Sequence, residues 1–169
     1  MISFNNQSIA LKLKEKTKLK QWIKSITEKE KHALGTINYI FCTDDELLEI
    51  NIKHLNHTTL TDIITFDYTE GKTINSDIFI SIDRITENAE KFKVTFENEL
   101  HRVMIHGVLH LCGYKDKSKA DAELMRKKEN GALKLFNLFL PGLIFLIENI
   151  IRQFLFYKLS LEPYLDKLI

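Results

Sequence analysis

Two histidines four residues apart, His106 and His110, stand in the run HGVLHLCGYKD, with Gly113 three residues after the second and Asp116 three after that. On a helix the histidines share a face, so their imidazole nitrogens can converge on one cation at about 2.0 to 2.1 Å. Alone, HxxxH is a weak signal, because buried histidines held by hydrogen bonds produce the same spacing. Gly113 strengthens it. A glycine can take the left-handed conformation that ends a helix, turning the chain so that Asp116 approaches the same cation. Two imidazoles and a carboxylate are a donor set for catalytic zinc that leaves a fourth position for water, whose pKa the ion lowers toward about 7. The pattern predicts a hydrolytic metal site of His106, His110 and Asp116.

The spacing matches the HExxHxxGxxH motif of zinc proteases with two departures. Gly107 stands where that motif has its catalytic Glu, and Asp116 stands where it has a third His. Without the Glu, peptide hydrolysis lacks its usual general base, which disfavours a protease. An anionic third ligand also makes the ion a slightly poorer Lewis acid than three histidines would.

These residues need a helix over Phe96 to Leu111, stopped by Gly113, on which Glu99, Arg102, His106 and His110 form one polar row. Val103, Met104, Ile105, Val108, Leu109 and Leu111 surround that row, so the helix is mostly buried, with the histidines facing a pocket or groove. Upstream, Ile2 to Phe4 opens a short strand. Thr17 to His32 has helical spacing in Leu19, Trp22, Ile23 and Ile26, with Gly35 ending that unit. Thr36 to Cys42 is rich in β-branched and aromatic residues, as strands are. A helix then starts at a Thr43 or Asp44 cap with Glu46 in its first turn and runs to Leu55. Thr61 to Tyr68 and Ser76 to Ile85 are predicted to pair as a hairpin, followed by helices over Thr86 to Phe92 and Lys119 to about Asn130. The order predicts an α/β (α+β) domain: a small mixed sheet of about four strands flanked by helices, with the metal site on a helix of the C-terminal half and the turn after it.

With 169 residues, 44% hydrophobic and 28% charged, the chain fits one globular domain rather than a disordered segment. Its formal net charge of +1 neither demands nor excludes a nucleic-acid partner. Neither a secretory leader nor a stretch of about 18 uninterrupted apolar residues is visible, which predicts a cytoplasmic protein without a membrane span. Cys42 and Cys112 form no CxxC pair and are expected as reduced thiols. From Gly131 onward the composition turns to Leu, Ile and Phe. Residues 1–132 are assigned to the hydrolase domain and 133–169 to an apolar extension that could pack on the protein, bind a partner or lie on a membrane surface.

At this point the chain resembles the YbeY family of metal-dependent endoribonucleases, whose signature H-G-x-L-H-L-x-G-Y-D-H stands here as HGVLHLCGYKD. TDIITF, SDIFIS and LLEIN resemble further family segments, as do Met125 and Glu129 at the end of the last helix, so the likeness runs from about Phe41 to Glu129. It implies a small sheet flanked by helices, one zinc ion on His106, His110 and Asp116, and hydrolysis of single-stranded RNA. The implied role is maturation of the 3′ end of small-subunit ribosomal RNA and ribosome quality control. Lys115 and Asp116 replace the usual aspartate and histidine. The arginine that the family carries four residues after its "LN" asparagine is Leu55 here, leaving His54, His57 or Arg84 as candidate substitutes.

Phosphate contacts are expected among Lys115, Lys117, Lys119 and Arg102, each of which has a solvated surface charge as its ordinary alternative. Glu99 is a candidate carboxylate behind the ligands, with a surface or capping role as its alternative. Asp62, Asp77 and Thr61 are candidates for the same supporting layer, whereas His101 lies off the ligand row and Cys112 is expected in core packing. Two other functions stay open: a non-catalytic ribosome assembly factor with a structural metal, and a zinc metalloprotease.

Overall fold

Among the described residues four strands and five helices follow in the order β1 (Ile2–Asn6), α1 (Lys16–Lys29), β2 (Ala33–Cys42), α2 (Asp44–Leu55), β3 (Ile63–Asp67), β4 (Thr73–Ser81), α3 (Ile82–Phe92), α4 (Phe96–Leu111) and α5 (Lys119–Leu138). This computed structural model describes residues 1–138 and Gln153. The strands form one mixed sheet in the order β1-β2-β4-β3, parallel except for the antiparallel β3–β4 pair. The expected mixed α/β architecture and the hairpin are both present.

Each face of the sheet has its own helices. Ile37, Tyr39 and Phe41 of β2, with Ile74, Ile78 and Ile80 of β4, meet Leu19, Trp22, Ile23 and Ile26 of α1 and the apolar residues of α4 in the main core. Met125, Ala132 and Phe136 of α5 join them. On the other face, Leu47 and Ile50 of α2 pack with Cys42, Ile64, Phe66 and Phe79. The segment Met1–Phe136 makes one compact unit.

Three local expectations are corrected. The strand expected over Ser76 to Ile85 spans Thr73–Ser81 instead. Ser81 stops it by accepting a hydrogen bond from the Arg84 amide at 3.1 Å, so Ile82 to Ile85 form the first turn of α3. Gly35 does not end the first helical unit; Glu30 and the left-handed Lys31 do. Gly35 instead lies within β2 at a register shift, where any Cβ would collide with Asn75, whose side-chain oxygen accepts from the Thr36 amide at 2.8 Å. The last helix continues through Gly131 to Leu138 rather than ending near Asn130. The apolar extension lies, from residue 139 on and apart from Gln153, outside the described residues. Among the described residues no helix is long and apolar enough to cross a membrane.

Candidate metal centre

Helix α4 begins at Thr95, whose hydroxyl accepts from the Asn98 amide at 3.1 Å. It ends in a left-handed turn at Gly113, φ 92°. The Gly113 amide donates to the His110 carbonyl at 2.9 Å and the Tyr114 amide to the Leu109 carbonyl at 3.0 Å, the paired bonds of a Schellman end. This reversal carries Asp116 back over the helix. Nε2 of His106 and Nε2 of His110 lie 2.9 Å apart, and the Asp116 carboxylate lies 3.7 Å from the first and 3.5 Å from the second. The three residues offer donor atoms within 4.8 Å of one another, a group that could hold a metal ion. Asp116 is exposed, so one side of the cluster opens to solvent.

Both imidazoles are oriented from behind. His110 Nδ1 lies 2.9 Å from the Tyr114 carbonyl, which can only accept, so this nitrogen carries the proton. His106 Nδ1 lies 2.7 Å from Oε1 of Glu129 on α5. Burial alone would raise the Glu129 carboxyl, but the His106 hydrogen bond and the charges of Arg102 and Arg126 overcome it and hold the group below the usual carboxylate range. Glu129 is therefore an acceptor, and His106 also donates from Nδ1. In the neutral rings the Nε2 lone pairs then face each other and the carboxylate, and such a set of donors fits a cation.

Behind this pair lies a buried charge network. Glu99, buried rather than at the surface, receives Arg102 Nε at 2.8 Å and Nη2 at 2.6 Å. Arg102 also reaches Glu129 at 3.3 Å and Asp62 at 3.5 Å. Its guanidinium is thus engaged by three carboxylates, whereas Lys115 and Lys117 of the loop and Lys119 at the start of α5 are exposed on either side of Asp116 in the sequence. Asp77 is elsewhere: it lies on the α2 face of the sheet and accepts from Asn38 at 2.9 Å. The Thr61 hydroxyl donates to the Ile63 carbonyl at 3.3 Å, closing its own turn.

Arg84 ties the start of α3 to that of α2, pairing with Asp44 at 2.8 Å and with Glu87 at 2.6 Å. His54 packs edge-on against Phe66 with 5.4 Å between rings, and His57 is exposed. His101 is apart from the cluster, 4.4 Å from the Phe136 ring and 6.0 Å from Trp22. Cys112 is partly buried against the core, and burial pushes its thiol up to about 11.

Gly107 faces the sheet. A Cβ there would meet Ile63 Cδ1 at 2.8 Å and Thr65 Oγ1 at 3.2 Å, so α4 lies close on the β3–β4 hairpin and any side chain there must displace those of Ile63 and Thr65. The position after His106 points away from the cluster, which removes the general-base location that a protease of this spacing uses.

Glu129 is the supporting residue that spacing around the histidines does not reveal. Its signal is an acid within the buried stripe Met125, Glu129, Ala132 and Phe136 of α5.

Residues 1–137 match the family model described as Endoribonuclease YbeY. A Flavobacterium psychrophilum protein named Endoribonuclease YbeY is 58% identical over 137 residues, covering 81% of this chain and 97% of that one. Its namesake from Phocaeicola vulgatus is 46% identical, covering 82% of this chain and 100% of that one. The solution structure of the protein TM1509 from Thermotoga maritima matches with a TM-score of 0.58 and 28% identity, over 80% of this chain and 89% of that one. With the family model matching residues 1–137 and a relative 58% identical over four-fifths of its length, the chain belongs to the Endoribonuclease YbeY family.

Proposed function

We propose that this protein is a metal-dependent endoribonuclease that cuts single-stranded RNA at a zinc ion held by His106, His110 and Asp116. The supporting observation is the convergence of two Nε2 lone pairs and one carboxylate whose histidines are both locked from Nδ1 by obligate acceptors. When bound, the ion supplies Lewis acidity toward a phosphoryl oxygen and an activated water. Two neutral imidazoles and one carboxylate leave a divalent ion with net positive charge, which suits an anionic phosphodiester. Glu129 and the Tyr114 carbonyl keep the imidazoles in the ligating tautomer, while Lys115, Lys117 and Lys119 meet the flanking phosphates. The names of the relatives support RNA as substrate. The cellular role that fits is cytoplasmic: maturation of the 3′ end of small-subunit ribosomal RNA and ribosome quality control.

The test is metal analysis of the purified protein joined to a cleavage assay on single-stranded RNA. Wild type should carry near-stoichiometric metal and cut the RNA. His106→Ala and Asp116→Ala should lose both while keeping the far-UV circular dichroism of the fold. Ribosome association without RNA cleavage under any metal would favour the non-catalytic assembly factor, and protein without metal affinity would refute the site.

A further inference from the structure

The residue after Gly113 is joined to a second cluster that the proposed reaction does not use. Tyr114 donates its hydroxyl to Oε2 of Glu30 at 2.6 Å, and Lys128 Nζ grips the same carboxylate at 2.9 and 2.8 Å while lying 4.6 Å from the centre of the Tyr114 ring. Glu30 sits at the end of α1, a helix fixed through Leu19, Trp22, Ile23 and Ile26 in the core. Its own backbone is held by the Glu30 amide to the Ile26 carbonyl at 3.0 Å. Lys128 is the neighbour of Glu129. Through these adjacent residues α5 reaches both histidines: Glu129 directly to His106, and Lys128 through Glu30 and Tyr114 to His110.

On the reading that His106, His110 and Asp116 bind a metal ion, we infer that Glu30 is a positioning residue for that site, acting through the Tyr114 hydroxyl to place the Tyr114 carbonyl and the Asp116 loop. Only Lys115 separates Tyr114 from Asp116. A tyrosine anchored at its far end to a rigid helix restricts the backbone at its near end, which is where the His110 acceptor is. Without the anchor, Gly113 and the exposed residues that follow leave the third donor free to swing away from the imidazoles, so the ion must order that loop on binding.

The test uses full-length wild type, Tyr114→Phe, Glu30→Ala, Glu30→Gln and the Tyr114→Phe/Glu30→Ala double variant. Each is titrated with Zn²⁺ and Co²⁺ against a chromophoric chelator, with the visible absorption of the cobalt form recorded. Tyr114→Phe and Glu30→Ala should each weaken affinity about tenfold, within the range for residues that orient a ligand. The double variant should be no weaker than either single one, and the cobalt absorption should change intensity in all three. Glu30→Gln, which keeps an acceptor for the hydroxyl, should recover part of the loss. The metal-free variants should retain the wild-type circular dichroism. If Glu30→Ala fails to fold, Tyr114→Phe, which removes a single oxygen, carries the test. Wild-type affinity and spectrum in Tyr114→Phe, or losses that simply add in the double variant, would overturn the inference while His106→Ala still shows the metal site to be real. A wild type that takes up neither ion would overturn the metal reading and this inference with it.

Discussion

Gly107 and Glu129 show how the chemistry of single residues depends on what each one faces. The His106 and His110 pair is legible because helical spacing is local, and Asp116 because a glycine turn is local too. Glu129 is 23 residues beyond His106, and its role arises only when α5 docks. The same holds for Arg102, whose own helix shows Glu99 three residues back but not Asp62 or Glu129. Glu129→Gln replaces the charged acceptor of His106 with a neutral one; metal affinity, measured by chelator competition, should fall about 10- to 100-fold, the usual cost of removing such a partner. Gly107→Glu writes the protease motif into the sequence, yet the new side chain would be driven against Ile63 and Thr65. It should destabilise the fold by about 3 kcal/mol or more in urea unfolding, from overpacking and an unpaired buried charge. No peptidase activity should appear in what remains folded.

At the scale of elements, the periodic segments were legible and their ends less so. Helix α4 has the bounds its pattern predicts, Phe96–Leu111, because Gly113 is strong punctuation at its end. The β4 to α3 junction was not, because isoleucines continue across it and Ser81 serves both as the end of a strand and as the cap of a helix. Gly113→Ala tests the turn that brings Asp116 to the histidines. No neighbour lies within 4 Å of a Cβ there, so the cost is backbone strain alone, about 1 to 2 kcal/mol, seen as a lower unfolding midpoint. The junction of α1, α4 and α5 makes a different prediction. There Trp22 donates from its indole nitrogen to the Ala132 carbonyl at 2.8 Å, and His101 packs against both Phe136 and Trp22. Burial lowers His101 from 6.5 to about 4, so between those values the unfolded chain binds a proton that the folded chain refuses. The stability that this histidine contributes is then complete above pH 6.5 and declines as the pH falls toward 4. In His101→Phe the denaturation midpoint should depend less steeply on pH across this window; an unchanged slope would place the titration elsewhere.

For the molecule as a whole, a domain boundary follows from where cooperative packing ends rather than from where composition changes. The composition shifts to Leu, Ile and Phe after Gly131, and α5 keeps packing past that shift: Phe136 is buried against Trp22 and His101, and Lys18 Nζ lies 4.2 Å from its ring centre. The compact unit closes at Phe136 and the family match at residue 137. The two ends agree because the last turns of α5 supply apolar surface to the same core that α4 needs beneath His106 and His110. A chain ending after Leu138 keeps every residue of the metal cluster, the Glu129 support and the Trp22–Phe136 contact. Such a chain should bind metal and cleave single-stranded RNA with constants within about twofold of full length, because the three candidate ligands and the groups that orient them all lie at or before Glu129. A chain ending after Ala132 loses Phe136, and truncating a buried aromatic costs about 3 to 5 kcal/mol, a large share of the stability of a domain this size. Its unfolding midpoint should drop sharply, with metal binding weakened in parallel as the end of α5 frays toward Glu129. Equal stability of the two truncated chains would show that the core does not depend on Phe136, and loss of metal binding in the longer one would show that residues beyond 138 belong to the site.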